Sequence, residues 1–145
     1  MKKDIIGRNE VVDLPEMELF QLRAKIDTGA YTSAIHYHHA EVIKKDGEET
    51  LHFTLLDPSH AEYNDKDFYF KKFKTKKIKN SFGQSEERYI IEATIRIFDK
   101  NILTEFSLSD RGNLKFPLLL GRKLLNKHFI VDTSKKNLSL KSSKK

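Results

Sequence analysis

From Tyr89 to Leu108 the chain alternates apolar and polar residues with the period of a β-strand. Tyr89, Ile91, Ala93, Ile95 and Ile97 fall on one face, while Glu92, Thr94 and Arg96 fall on the other, because successive strand side chains point to opposite sides. Ile102, Thr104, Phe106 and Leu108 repeat the pattern, and Asp99-Lys100-Asn101 between the two runs reads as a hairpin turn. Similar short runs occur at Glu10 to Leu14, Leu19 to Ile26, Ser33 to Ile43 and Leu51 to Leu56, with Asp46-Gly47 marking another turn. The expectation is an all-β fold. Leu118-Leu119-Leu120 reads as a buried strand that stops at Gly121 and opens one short helix, about Arg122 to Lys127, before Phe129-Ile130-Val131 returns as a strand.

At 145 residues the chain is expected to form one domain over residues 1–136, followed by a basic tail over 137–145, of which Lys141 to Lys145 is expected to be disordered. A domain of that size buries about 68–70% of the surface its unfolded chain exposes. Cysteine is absent, which excludes disulfides and cysteine-rich metal sites and suits a reducing compartment. Met1-Lys2-Lys3-Asp4 opens a charged and mixed stretch rather than an apolar signal core, and no apolar run approaches a membrane span. The expected location is the cytoplasm.

The chemistry is carried by Lys25-Ile26-Asp27-Thr28-Gly29-Ala30. An apolar strand that ends in Asp-Thr-Gly resembles the way aspartic proteases present their catalytic carboxylate. Asp27 on a tight loop can face a cleft, Thr28 can hydrogen-bond across to a partner loop, and Gly29 lets backbone N–H groups approach the carboxylate. The same triplet also makes an ordinary turn at a strand end, with Asp as an Asx-turn former. Hydrolysis by such a site needs two carboxylates that share a proton, one acting as base on a water and the other donating a hydrogen bond to the scissile carbonyl. Asp-Thr-Gly occurs once. A second copy of the chain would therefore supply the second carboxylate across a two-fold axis.

Several blocks together resemble one bacterial family of retropepsin-like proteins, often labelled ATP-dependent zinc proteases and associated with ribosomal-protein glutamate ligases. They are Ile6-Gly7-Arg8-Asn9-Glu10, Ala24 to Ala30, Thr32-Ser33-Ala34, Ser85-Glu86-Glu87-Arg88, Ser109-Asp110-Arg111 and Phe116 to Arg122. Two departures are Tyr31, where the family usually has a basic residue, and Gly112-Asn113-Leu114, which replaces its more usual Ser-x-Met. The resemblance implies a closed acid-protease barrel and an aspartic endopeptidase. It also implies a substrate that is an acidic or glutamate-extended peptide, drawn in by positive charge. Asp27 would be catalytic, with Thr28, Gly29 and Ala30 forming its loop. Arg88, Asp110, Arg111, Gly121 and Arg122 would support the cleft or bind substrate, the arginines by gripping a carboxylate with two hydrogen bonds.

Other features have competing readings. Lys71, Lys72, Lys74, Lys76, Lys77 and Lys79 alternate with Phe70, Phe73 and Ile78, and the net charge is +6; this pattern fits nucleic acid or a lysine-faced edge strand protected against aggregation. Asn80-Ser81-Phe82-Gly83-Gln84-Ser85 reads as a surface loop or as a flap hinged at Gly83. On a strand, His36 and His38 would share a face opposite His39, so a two-histidine metal site is conceivable. There is, however, no His-Glu-x-x-His for a zinc hydrolase and no phosphate-binding Gly-rich loop for ATP. The expectation is no metal and no cofactor. Two rivals to the protease are a peptide-binding or assembly module of the same fold, in which the Asp pair serves the dimer alone, and a basic nucleic-acid binder. Nucleic-acid binding would fall with salt and ignore Asp27→Asn.

Overall fold

In the computed structural model, residues 3–79, 82–111 and 115–143 are described. The strands are β1 (Asp4–Ile6), β2 (Asn9–Leu14), β3 (Leu19–Ile26), β4 (Ser33–Lys45), β5 (Glu48–Leu55), β6 (Phe68–Phe70), β7 (Lys74–Lys79), β8 (Ser85–Ile97), β9 (Lys100–Ser109), β10 (Leu118–Leu120) and β11 (Phe129–Val131). Helix α1 spans Arg122–His128, α2 spans Leu138–Ser143, and a 3-10 turn covers Pro15–Met17. The fold is mostly β, as the alternation requires. On β8 the residues Ile91, Ala93, Ile95 and Ile97 are buried and Arg96 is exposed.

The larger sheet runs β10-β3-β2-β8-β9-β4 and closes because β10 also pairs with β4. The result is a ring rather than a regular barrel. Its closure at β2 and β8 rests on the register pair Asp13↔Arg96, and β5 and β6 continue from β4 as an arm outside the ring. Inside lie Leu22, Ile35, Ile91, Phe106, Leu118 and Leu120, each 2% exposed or less, and each large side chain contributes about 1.5–3 kcal/mol by leaving water.

Turn chemistry sets the register. Asp46 (φ 55) and Gly47 (φ 80) join β4 to β5, a two-residue turn whose left-handed pair matches the strand twist. The β8–β9 turn is shifted from its expected place at Asp99-Lys100-Asn101: Ile97 pairs with Lys100, so Phe98 (φ 51) and Asp99 (φ 60) make the turn. Phe98 accepts this unusual backbone while its ring packs 6.1 Å from Phe129.

The lysine-rich segment is β7, which pairs with β8 and, among the described residues, with no other strand. It is an edge, and the neighbouring lysines are neutralised by acids: Lys71 by Glu48, Lys72 by Glu92 and Lys74 by Glu105. That arrangement suits protection of an edge strand. Lys79 pairs with Ser85, so the expected flap segment is the end of the β7–β8 hairpin, with Asn80 and Ser81 outside the described residues.

Glu105 also accepts from Lys123, and Lys123 first and Lys74 second hold its carboxyl below the usual range. A carboxylate with a lowered folded value contributes stability that is present above the unfolded value and lost as pH falls through the folded one. Because both lysines are largely exposed, the contribution is about 1 kcal/mol or less. Glu105→Gln is expected to lower Tm at pH 7, with the gap to wild type closing as pH drops below the carboxylate range. A gap that widens in acid would refute the assignment.

The start of the C-terminal segment packs on the domain. Asn137 N–H donates to the Asn9 carbonyl, and Ser139, 5% exposed, is held by Glu10 and Val11. Leu138-Ser139-Leu140 therefore packs on β2 as the start of α2, an element that six residues of weak periodicity do not announce. Lys144 and Lys145 lie outside the described residues, as does the Gly112-Asn113-Leu114 departure. Among the described residues no helix is long and apolar enough to cross a membrane.

Candidate active site

The Asp27 loop is built by threading β10 between the strands on either side of it. Leu118, Leu119 and Leu120 pair in parallel with Ala24, Lys25 and Ile26, while Leu118 and Leu119 pair antiparallel with Ile35 and Ala34. Asp27 N–H then donates to the Leu120 carbonyl at 2.9 Å, which fixes the point where the chain leaves the sheet.

The loop and α1 stabilise one another. An α-helix begins with unpaired N–H groups; here Arg122 N–H donates to the Ala30 carbonyl at 2.8 Å and Lys123 N–H to the Tyr31 carbonyl at 2.9 Å. Gly121 N–H donates to Ser33 Oγ at 3.1 Å. A Cβ on Gly121 would come within 2.7 Å of the Tyr31 carbonyl oxygen, so this approach requires glycine. The Arg122 guanidinium donates to the Thr28 carbonyl at 3.0 Å and lies over the Tyr31 ring, 5.7 Å from its centre. Arg122 thus braces the loop, and Tyr31 provides the surface it rests on.

Gly29 N–H donates to Asp27 Oδ1 at 2.9 Å, and a Cβ on Gly29 would stand 3.2 Å from the same oxygen. Asp27 is half-buried; Thr28 and Gly29 are exposed and Ala30 half-buried. Arg111 lies within electrostatic reach of Asp27. Burial pushes the Arg111 guanidinium below its ordinary range; the Asp27 carboxylate opposes that shift and the like charge of Arg88 adds to it.

Arg111 is positioned by its backbone. Its N–H donates to His36 Nδ1 at 2.8 Å and its Nε–H to the Phe116 carbonyl at 3.2 Å. His36 is 6% exposed. With Nδ1 accepting, the proton sits on Nε2, which approaches Asp57 Oδ1 at 2.9 Å but off the line of a good hydrogen bond. His38 reaches the same oxygen at 3.4 Å, so His36 and His38 do share a face, and Asp57 occupies it. His36, first among its neighbours, holds the Asp57 carboxyl below its ordinary value.

The other expected residues take separate places. Arg88 bonds Glu86 at 3.2 Å rather than its chain neighbour Glu87, because adjacent strand residues face opposite sides. Arg88 and Asp110 line a groove of about 320 Å³ together with Tyr37, Glu86 and Leu108. Asp110 lies 3.8 Å from His36 Nδ1. A cavity of about 450 Å³ on the other flank is bounded by Tyr31, Leu103, Glu105 and Lys123.

Two roles escaped the sequence reading, since Glu10 entered it only within a block and His36 only as half of a conceivable two-histidine metal site. Glu10 is fully buried and accepts Gly7 N–H, Ser139 N–H and the Ser139 hydroxyl, all at 2.8 Å. Its signal was a carboxylate in phase with inward Val12 and Leu14. His36 offered none, since Ser33 to His36 are buried on both faces of β4.

A family described as retropepsin-like aspartic endopeptidase RimB (RimB-like) matches residues 5–142. A protein named probable alpha-L-glutamate ligase from Desulfotalea psychrophila is 32% identical over 134 residues, covering 90% of this chain and 28% of that protein. One of the same name from Shewanella pealeana is 31% identical over 136 residues, covering 91% and 29%. The chain thus spans less than a third of the curated relatives it matches. The crystal structure of a Legionella pneumophila protein of unknown function superimposes with a TM-score of 0.73 at 26% identity, covering 95% of this chain and 99% of that one.

Proposed function

Since the chain belongs to the RimB-like family of retropepsin-like aspartic endopeptidases, we propose that it hydrolyses peptide bonds as a homodimer, with Asp27 of each subunit sharing one proton across the two-fold axis. The observation that carries the reading is the Asp27 carboxylate held by Gly29 N–H at 2.9 Å on a loop clamped by β10 and α1. One carboxylate of the pair takes a proton from the attacking water while the other donates to the scissile carbonyl oxygen. A single chain carries half of that pair. Ile5 and Ile130, register partners on the separate β1–β11 sheet and 50% and 57% exposed, offer apolar surface for self-association.

The substrate class is an acidic peptide, such as one extended by glutamates, met in the cytoplasm. Two things support this: the positive charge of Arg111 near Asp27, with Arg88 in turn near Arg111, and relatives named as glutamate ligases whose longer chains contain a matching segment. Arg88→Ala is expected to raise KM for a glutamate-extended peptide by roughly 10–100-fold, the worth of a charge-assisted hydrogen bond, and to leave a neutral peptide unchanged. Equal effects on both peptides would remove Arg88 from substrate binding.

The reading is tested by mass spectrometry of a peptide library that includes glutamate-extended members, digested with EDTA present. Cleavage that rises with the square of protein concentration at low concentration, and saturates as dimer fills, is the expected result. Peptide binding by a monomer without cleavage would identify the assembly-module alternative instead.

A further inference from the structure

We propose that His39, Glu41 and His52 form a binding site for a zinc-like divalent transition-metal ion on the β4–β5 arm, with Asp67 as the residue that positions His52. The last pair between β4 and the ring is His36↔Ser109, so His39 and Glu41 lie where β4 has left the ring. They are two apart and share a face, and Glu41 stands opposite His52 in the β4–β5 register. Register alone therefore brings together two imidazoles and a carboxylate.

The distances suit a metal. His39 Nε2 and His52 Nδ1 each lie 3.5 Å from Glu41 Oε1, and the three atoms are all within 4.8 Å of one another. Zinc bonds of about 2.0–2.2 Å in a tetrahedron separate neighbouring ligands by roughly 3.3 Å. Shifts of exposed side chains close the difference.

The surroundings of His52 point the same way. His52 Nε2 lies 2.9 Å from Asp67 Oδ1, which leaves Nδ1 turned towards the Glu41 carboxylate, 3.5 Å away. A carboxylate on the outer nitrogen of a histidine is the arrangement that fixes tautomer and ring direction at metal sites. Tyr69 stacks on His52 at 4.7 Å with planes 10° apart, which holds the ring further.

Two nitrogens and one oxygen favour zinc, cobalt or nickel over calcium and magnesium, which take oxygen shells. His39 and Glu41 are about half exposed, so an ion reaches them from solvent and its fourth position is left to water. The site is separate from the Asp27 loop. Its effect is to fasten β4, β5 and the approach to β6.

The competing explanation for the cluster is proton-mediated pairing of the histidines with Glu41, and titration of the full, untagged chain with Co2+ decides between them. The expected result is visible absorption that saturates at one equivalent, displacement by Zn2+, and a Zn2+-dependent rise in Tm. His52→Ala and the exposed Glu41→Gln should abolish the signal with folding unchanged by circular dichroism. Asp67→Asn, which retains all three ligands, should weaken affinity roughly 10–100-fold. His38→Ala and His60→Ala should bind as wild type. No saturable Co2+ signal in the wild type, or a signal that survives Glu41→Gln and His52→Ala, would overturn the proposal. Because peptide cleavage is assayed with EDTA, failure here is distinguishable from failure of the protease reading.

Discussion

Asp27→Asn is expected to reduce cleavage of acidic peptides on the order of 10³–10⁴-fold or more while leaving fold and dimerisation intact. The amide fills the same space and its oxygen still accepts the Gly29 N–H seen at 2.9 Å, so the loop keeps its hydrogen bonds to Leu120 and α1. What disappears is a group able to take the proton of the attacking water, and positioned general acid–base catalysis accounts for about 10²–10⁴-fold by itself. In a symmetric dimer both members of the pair are lost at once. Measurement of kcat/KM for wild type and variant, with sedimentation to check the dimer, tests the claim. Cleavage retained within tenfold would show that Asp27 is not the base.

The largest stability effect is expected at Glu10. Its carboxylate joins β2 to the first turn of α2 and to the turn at Gly7, with no water contact. The packing there is close, since a Cβ on Gly7 would meet the Lys135 carbonyl oxygen at 2.5 Å. Glu10→Ala orphans two buried N–H groups and releases the Ser139 hydroxyl. At about 1–3 kcal/mol for each unsatisfied donor, the loss is about 3 kcal/mol. For a domain of this size that corresponds to a Tm roughly 10 °C lower. Glu10→Gln should recover only part, because its NH2 would face an N–H donor. Urea denaturation gives the number, and a loss below about 1 kcal/mol would show that the C-terminal segment is not held through Glu10.

Much of the fold was legible because it is local. Alternation along β8 and β9 requires only that neighbouring side chains face opposite ways, and Asp46-Gly47 requires only a two-residue turn. The β8–β9 turn went astray by a residue because Phe98 takes a positive φ that no turn propensity favours; packing against Phe129 outweighs it. The start of the C-terminal segment was set outside the domain for a related reason. Its contacts, Asn137 with Asn9 and Ser139 with Glu10, join residues far apart in sequence.

The candidate site divides in the same way. Asp27-Thr28-Gly29 and Gly121-Arg122 were readable as motifs, since each is a contiguous run whose chemistry depends on its own neighbours. Their contact through β10 was implied by resemblance, but the tie between Arg122 and Tyr31, the pairing of Arg88 with Glu86, and the support of Arg111 by His36 are contacts between segments. The His39–Glu41–His52 cluster, to which the spacing of His36, His38 and His39 gave no clue, depends on cross-strand register and on Asp67 in the next strand's approach.

By itself the sequence determined that the chain makes strands, where several of them turn, and that one carboxylate sits on a glycine-backed loop. Tertiary structure alone decided which charges meet. A strand's period is set by bond geometry within a few residues, whereas the pairing of side chains distant in sequence is set by which closed arrangement of strands buries the most apolar surface and leaves the fewest polar groups unpaired.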